Sequence, residues 1–199
     1  FSVEKEQVYC SILPTTTQYS RNALFSGLMP SEIKNKYPQK WIDEETDEGK
    51  NLYEDFFLIE NLKRNSIELK SSYNKITNLN KGKKLLNNFN NLLQNNLNTI
   101  VYNFVDTLSH ARTEMDVIKE LAEDESAYRS LTLSWFKHSP LYEMMKKMSE
   151  NSCKVFLTTD HGTIRVKNAS KVMGPKQINS NMRYKVSKNL SYNKKDVME

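Results

Sequence analysis

Two short motifs, DTLSH and TTDHG, each contain an aspartate and a histidine close together. In DTLSH, Asp106 and His110 are four residues apart, a spacing that places both on one side of a turn or short helix. In TTDHG, Asp160 and His161 are adjacent, and both side chains can reach one ion where a strand has just ended. Carboxylate and imidazole groups are ligands of zinc, and also of manganese or iron. Both motifs are therefore candidate metal sites.

Each motif also has an ordinary structural interpretation. Asp-His-Gly alone is a common turn, and the DTLSH pair alone is compatible with a surface ion pair or a helix cap. The chain has three histidines, and two of them follow an apolar run in company with an aspartate. This repeated arrangement makes metal binding as good an interpretation as two unrelated turns.

A third segment, LPTTTQYSRNALFSGLMP, has three threonines between an apolar run and a helical pattern. A hydroxyl at the start of a helix lies at the positive pole of the helix dipole. That position suits a phosphate, or an alkoxide if a metal lowers the pKa of the hydroxyl. Threonine is also a common helix N-cap, so the segment alone leaves both interpretations open.

The elements that must position these motifs follow from the periodicity of apolar residues. Buried-type strands are predicted at 8–13, 99–105 and 153–157, with an edge strand at 67–70. Helices are predicted at 18–28, 48–64, 85–97, 113–122, 124–137 and 140–151. The asparagine-rich helix 85–97 has one apolar stripe, and the last helix begins with Ser139 as its cap and Pro140 in its first turn.

The alternation of strands and helices predicts an α/β fold in which a mainly parallel central sheet lies between helices. Such sheets place ligand sites beyond the carboxyl ends of their strands. The threonines, DTLSH and TTDHG each follow a predicted strand, so we expect them at one edge of the sheet.

Length and composition limit the class of protein. With 199 residues, 27% charged and 38% hydrophobic, the chain is typical of a single globular domain. Lysine and arginine exceed aspartate and glutamate by 29 to 24, a net charge of +5 that is too dispersed to indicate nucleic-acid binding by itself. No apolar stretch approaches the roughly 20 residues of a membrane span. We expect a cytoplasmic protein with no membrane partner.

The threonine segment resembles the nucleophile segment of the alkaline phosphatase superfamily, in which a threonine or serine opens a helix that ends in Gly-Leu-x-Pro. Alignment on residues 27–30 places Thr17 at the nucleophile position. DTLSH and TTDHG resemble the pairs that hold the two metals of the superfamily. The stretches VYNFVDTLSHARTEMDVIKELAEDESAYRSLTLSWF and TTDHGTIRVKN are similar to the PglZ-type domain of PorX-like response regulators, which act in type IX secretion in Bacteroidota.

This resemblance implies an alkaline-phosphatase-like fold and a site with two divalent ions, usually zinc. It implies hydrolysis of oligonucleotide phosphodiesters or of other phosphodiesters, a sensor kinase and a sigma factor as partners, and a possible homodimer. Thr17 would attack phosphorus while sharing the metal of Asp160 and His161. The second metal would belong to Asp106 and His110.

The chain departs from the family pattern in two places. The family has an aspartate ligand upstream of the nucleophile and a histidine ligand downstream of the Asp-His pair, and neither has a counterpart here. We therefore expect residues 1–199 to be a partial domain, without the receiver and linker of the parent protein. Residues 47–98 are expected to form a helical insertion, either as a substrate cap or as packing.

Four polar residues near the motifs are candidates for contact with the phosphate oxygens. They are Arg21, Asn22, Arg165 and Lys167. The two arginines are the best shaped for it, because a guanidinium group matches phosphate geometry. Surface salt bridges explain such residues equally well. A second function class, a signalling or interaction module whose metals are structural, stays open because sequence does not tell a closed coordination shell from an open one.

Overall fold

The structure, a computed structural model, describes residues 2–42, 51–163, 168–175, 183–187 and 189–197. The chain divides into two units. The sheet unit contains Glu68–Phe156 together with Ser2, and the helical unit contains Val3–Ile67 and Leu157–Glu199. No helix in the described ranges is long and apolar enough to cross a membrane.

The sheet unit has a parallel pair of strands joined by a helical crossover. Strand β1 is Ser71–Ile76, helices α4 and α5 are Leu79–Asn87 and Phe89–Leu92, and strand β2 is Leu97–Tyr102. The register runs from Ser71 opposite Leu97 to Ile76 opposite Tyr102. The parallel arrangement agrees with the prediction, but the sheet has two strands in the described part of the chain, not a broad central layer.

The core of the sheet unit explains how an asparagine-rich helix is held. Leu85, Phe89 and Leu92 are buried together with Ile76 and Met144. Their packing offsets the poor helix propensity of asparagine. The predicted helix 85–97 is nevertheless wrong in extent, because the helix breaks at Asn88 and Leu97 begins strand β2.

The rest of the sheet unit is helical. The predicted helices 124–137 and 140–151 are confirmed within one residue at each end, whereas the predicted helix 113–122 is wrong in extent because the helix is interrupted at Met115. Helices α6 to α9 are Phe104–Glu114, Asp116–Leu121, Glu125–Lys137 and Pro140–Glu150. The hydroxyl of Ser139 accepts a hydrogen bond from the amide of Tyr142 at 3.3 Å, which confirms the predicted cap.

The helical unit contains α1, Thr17–Ser26, α2, Pro30–Lys36, and α3, Glu54–Arg64. Helix α1 ends at Gly27, whose φ of 63° is left-handed, as the prediction of a helix ending near this glycine requires. Its four buried residues, Gln18, Ser20, Asn22 and Ser26, are all polar, and Gln18, Asn22 and Ser26 lie one turn apart. Leu24, an apolar residue of the predicted helix 18–28, is 44% exposed.

Side chains from α3 and the chain before it bind the backbone of α1 near both of its ends. Asn51 donates to the carbonyl of Thr17 at 3.1 Å. Asn61 donates to the carbonyl of Phe25 at 3.0 Å, and Arg64 donates to that of Ser26. The last carbonyls of a helix have no partner within the helix, so these bonds fix α1 against α3.

Three of the predicted strands are absent. Residues 8–13, 67–70 and 153–157 take part in no strand ladder with other described residues, and β1 begins one residue after the predicted edge strand. Val8 is 97% exposed, Phe156 82% and Leu157 88%. These apolar runs have strand-like composition, but a strand also needs neighbours to pair with and pack against. The predicted strand 99–105 is confirmed in part, and the residues around Ile164–Val166 lie outside the described ranges.

Replacement of Gly27 by alanine should destabilise the helical unit. A Cβ at this position meets the left-handed backbone penalty of about 1–2 kcal/mol and would lie 2.9 Å from Oδ1 of Asn61. We expect Gly27→Ala to lower the free energy of unfolding by at least about 1 kcal/mol in urea titrations. Gly162→Ala is the control, because no atom lies within 4 Å of its added Cβ. Equal stability of the two variants would contradict this account.

Candidate functional site

Thr17 is the first residue of α1, with Thr16 at the N-cap in an extended conformation. The hydroxyl of Thr16 makes no capping hydrogen bond, so the interpretation of the threonines as side-chain caps does not describe Thr16. The amide of Ser20 donates to the carbonyl of Thr16 at 2.9 Å, which starts the helix. The hydroxyl of Thr17 therefore lies at the positive end of a ten-residue helix.

Asp160 and His161 are positioned by an extended segment far away in sequence. The hydroxyl of Tyr9 contacts Oγ1 of Thr158 at 2.8 Å and donates to the carbonyl of Thr159. The hydroxyl of Ser11 donates to the carbonyl of Asp160 at 2.7 Å. Residues 9–11 thus lie beside residues 158–160 in the same chain order, through side-chain hydrogen bonds rather than a strand ladder.

The side chains of Thr17, Asp160 and His161 converge. Oγ1 of Thr17 lies 3.3 Å from Nε2 of His161, and Oδ2 of Asp160 lies 3.9 Å from the same nitrogen. The Asp160 and His161 side chains are 17% and 12% exposed. Oδ2 of Asp160 is buried without a hydrogen-bond partner among the described residues, since 3.9 Å is too long for one. A buried carboxylate oxygen in this state needs a cation or donor.

The second ring nitrogen of His161 fixes the orientation of the imidazole. Nδ1 lies 2.9 Å from the carbonyl oxygen of Gly162 and 3.2 Å from Nη1 of Arg183. A guanidinium only donates, so Nδ1 cannot serve both partners. Arg183 also donates to the carbonyl of Thr15. With the proton on Nδ1, His161 donates to the carbonyl of Gly162, and Arg183 donates to the carbonyl of Thr15 instead of to the ring. Nε2 then carries the lone pair, which faces Thr17.

The three donors fit part of the coordination shell of a divalent ion. Two ligands of a tetrahedral zinc, each about 2.0–2.1 Å from the metal, lie about 3.3 Å apart. The Thr17–His161 distance of 3.3 Å matches this separation, and the Asp160–His161 distance of 3.9 Å is wider, so the carboxylate would have to rotate inward. In the described ranges no group of three or more His, Cys, Asp or Glu side chains forms. The third donor here is the threonine hydroxyl.

The other predicted metal pair lies on α6 in the sheet unit. Oδ1 of Asp106 is 3.6 Å from Nε2 of His110 one helical turn later. Their side chains are 54% and 68% exposed. The predicted spacing on one side of a helix is therefore present, and a metal-binding role for this pair stays a prediction.

The predicted phosphate contacts have different surroundings. Arg21 forms an ion pair with Glu54, whose side chain is 1% exposed, and Asn22 is only 3% exposed. Arg21 thus joins α1 to α3, Asn22 is buried, and contact of either residue with substrate stays a prediction. Arg165 and Lys167 lie outside the described residues. Arg183 lies beside His161 and was not predicted, because it stands in a polar C-terminal stretch with no periodic or motif signal.

A hydroxyl at a helix start beside an Asp-His pair is an arrangement that can bind a phosphate group and a divalent ion. The chain belongs to the family of PglZ alkaline phosphatase-like domains, since the family model described as "BREX system PglZ alkaline phosphatase-like domain" matches residues 1–199. The alkaline phosphatase superfamily typically uses metals, and membership indicates hydrolase chemistry of the phosphatase or phosphodiesterase type. A comparison with curated proteins gives no match.

Removal of the Glu54 charge should cost stability, because the ion pair with Arg21 is buried. Loss of one partner of a buried pair costs about 3–5 kcal/mol, and we expect Glu54→Gln to lower the free energy of unfolding by an amount near that range. Glu60→Gln on the same helix is the matched control. Glu60 pairs with Lys63 at 2.9 Å near the surface, where such pairs contribute about 0–1 kcal/mol.

The same measurement separates packing from substrate binding at Arg21. Arg21→Met should destabilise the protein in urea titrations as Glu54→Gln does. A variant of unchanged stability with a raised KM for a phosphodiester would instead support the predicted substrate contact.

Proposed function

We propose that this domain is a metal-dependent phosphodiesterase or phosphatase in which Thr17 is the nucleophile. The observation that carries the proposal is the 3.3 Å approach of the Thr17 hydroxyl to Nε2 of His161, beside the orphaned carboxylate oxygen of Asp160, in a chain of the PglZ family. A serine or threonine hydroxyl is a weak nucleophile until a neighbouring base or cation activates it.

The residues of the chain divide the reaction into two steps. Oγ1 of Thr17 attacks phosphorus, an O–P bond forms, and the bond to the leaving oxygen breaks with its electron pair on that oxygen. Water then attacks this phosphorus, the bond between phosphorus and Oγ1 breaks with its electron pair on Oγ1, the phosphate product leaves, and a proton from the water restores the hydroxyl. In the arrangement of the structure, Nε2 of His161 accepts a hydrogen bond from Thr17 at 3.3 Å; with an ion bound, the same nitrogen would be its ligand and the proton of Thr17 would pass to solvent. The N-terminus of α1 stabilises negative charge on the transferred group.

The proposed cofactors are two divalent ions, with zinc as the first choice because imidazole and carboxylate ligands suit it. Asp160 and His161, with Thr17, would hold one ion, and Asp106 and His110 would hold the other. Such ions supply positive charge that lowers the pKa of a hydroxyl and offsets charge on the phosphoryl oxygens.

The finer parts of the proposal concern substrate and context. The resemblance of the DTLSH and TTDHG regions to PorX-like PglZ domains supports oligonucleotide phosphodiesters as substrates. It also supports a cytoplasmic response regulator of type IX secretion, with a sensor kinase, a sigma factor and a homodimeric state. The net charge of +5 suits an anionic substrate. Sedimentation with and without the purified sigma factor tests the partner assignment.

Replacement of Thr17 by valine should abolish turnover. Valine keeps the shape of the side chain and removes the attacking oxygen, and loss of a nucleophile lowers kcat on the order of 10³-fold or more. The measurement is hydrolysis of bis(p-nitrophenyl) phosphate and of short oligonucleotides with added zinc or manganese.

The matched control makes the same chemical change one residue earlier. Thr16→Val removes a hydroxyl that has no hydrogen-bond partner among the described residues, and it should retain activity. Full activity in Thr17→Val would contradict the nucleophile assignment. Bound metal without chelator-sensitive hydrolysis in the unaltered protein would favour the alternative, an interaction module with structural metals.

Metal content should fall when either Asp-His pair is removed. We expect Asp160→Asn with His161→Ala to lose about one zinc ion per chain by elemental analysis, because each pair supplies two donors to one ion. Asp106→Asn with His110→Ala should lose the other. His138→Ala is the control, since the ring of His138 is held by the carbonyl of Ser134 at 2.7 Å. Unchanged zinc content in both double variants would contradict the ligand assignment.

A further inference from the structure

A cavity in the sheet unit lies where both strands end. Its lining includes Ile76 and Tyr102, the last residues of β1 and β2, and Leu79 and Phe104, the first residues of α4 and α6. The crevice beyond the carboxyl ends of parallel strands is where α/β proteins bind ligands. None of the residues proposed as nucleophile or metal ligands lines this cavity.

Aromatic rings form one side of the cavity. Phe104 and Trp135 are stacked with ring centroids 3.6 Å apart and planes 3° apart. Tyr102 meets Trp135 edge-on at 6.0 Å. Flat aromatic walls favour a planar ligand, which can stack or pack edge to face against them.

The hydroxyl of Tyr102 is the polar group that requires an explanation. It is buried and has no hydrogen-bond partner among the described residues, a costly state for a hydroxyl. Burial raises the pKa of Tyr102, so the hydroxyl stays protonated and can donate. A Cβ on Gly82 would lie 2.8 Å from this oxygen, so glycine, a weak helix former, leaves room for the hydroxyl inside α4.

Size and charge restrict the ligand further. The cavity has a volume of about 100 Å³, whereas a cavity of about 150 Å³ holds a whole benzene. The cavity can therefore hold most of one six-membered ring, while the rest of the ligand lies outside it. A purine, which has two fused rings, is too large. The lining residues in the described ranges carry no charge, which favours a neutral ring.

We propose that this cavity binds a pyrimidine base. The ring packs against Trp135 and Phe104, the hydroxyl of Tyr102 donates to a ring carbonyl oxygen, and the sugar lies outside the cavity. A free nucleoside and an oligonucleotide present the same base, so either can be the source. The proposal does not depend on phosphoryl transfer, and its test measures binding alone.

The experiment uses Trp135 as the reporter. The chain has two tryptophans, so a Trp41→Phe background makes Trp135 the single tryptophan. Uridine and a short oligouridylate are titrated, and saturable quenching of Trp135 is expected. In the same background, Tyr102→Phe should weaken binding about 3- to 10-fold through loss of one hydrogen bond. Tyr142→Phe, on α9 and outside the cavity lining, should leave the affinity unchanged.

The outcomes separate the proposal from its rivals. Tighter binding of oligouridylate identifies a nucleotide of a longer chain as the ligand, and equal binding identifies the free nucleoside. Absence of saturable quenching, equal affinity for adenosine, or equal affinity for benzene, which lacks a carbonyl, would overturn the proposal. So would a crystal structure soaked in uridine with only ordered water on the Tyr102 hydroxyl.

The proposed hydrolase activity and the proposed pyrimidine site can be tested independently of each other. A Thr17→Val variant without turnover but with normal uridine binding supports both proposals. If the protein binds uridine but never hydrolyses a phosphodiester, the pyrimidine site is supported and the proposed hydrolase activity is contradicted.

Discussion

The candidate site depends on the alignment of two segments almost 150 residues apart in sequence. Hydrogen bonds from Tyr9 and Ser11 hold residues 158–160 beside residues 9–11. This alignment brings His161 to the start of α1. Each such bond contributes about 0.5–1.5 kcal/mol net, and neither segment is covered by apolar packing, as the exposure of Val8 and Leu157 shows. The geometry of the site therefore depends on a few specific polar contacts.

Local signals in the sequence predicted some helix ends correctly, although not the extent of every helix. The Ser139-Pro140 start of α9 and the Gly27 end of α1 are chemical features of the chain within one helical turn, and both are present as expected. Strands were predicted less well because a strand is defined by its partners. Residues 153–157 have the apolar composition of a buried strand, yet no ladder forms on them, whereas the polar sequence SSYNKI becomes β1 because Leu97–Tyr102 lies beside it.

The candidate site, like the fold, could be predicted from the sequence only in part. The spacing of Asp160 and His161, and the resemblance that identified Thr17, selected the three residues that the structure brings together. The residues that orient them were not predictable, because Tyr9, Ser11 and Arg183 act through contacts at long sequence separation. The tautomer of His161 likewise follows from the carbonyl of Gly162, which depends on backbone conformation and not on residue type.

The polar buried face of α1 has a physical role in this arrangement. Apolar packing tolerates small rotations of a helix, whereas hydrogen bonds are lost within a few tenths of an ångström and a few tens of degrees. The side chain of Gln18 donates to the carbonyl of Ile42 at 2.8 Å, and the pair of Arg21 and Glu54 joins α1 to α3. A helix held in this way has one rotational setting. The hydroxyl of Thr17 is consequently directed at His161 by contacts along the whole length of α1, and a substitution two turns from the nucleophile can misplace it.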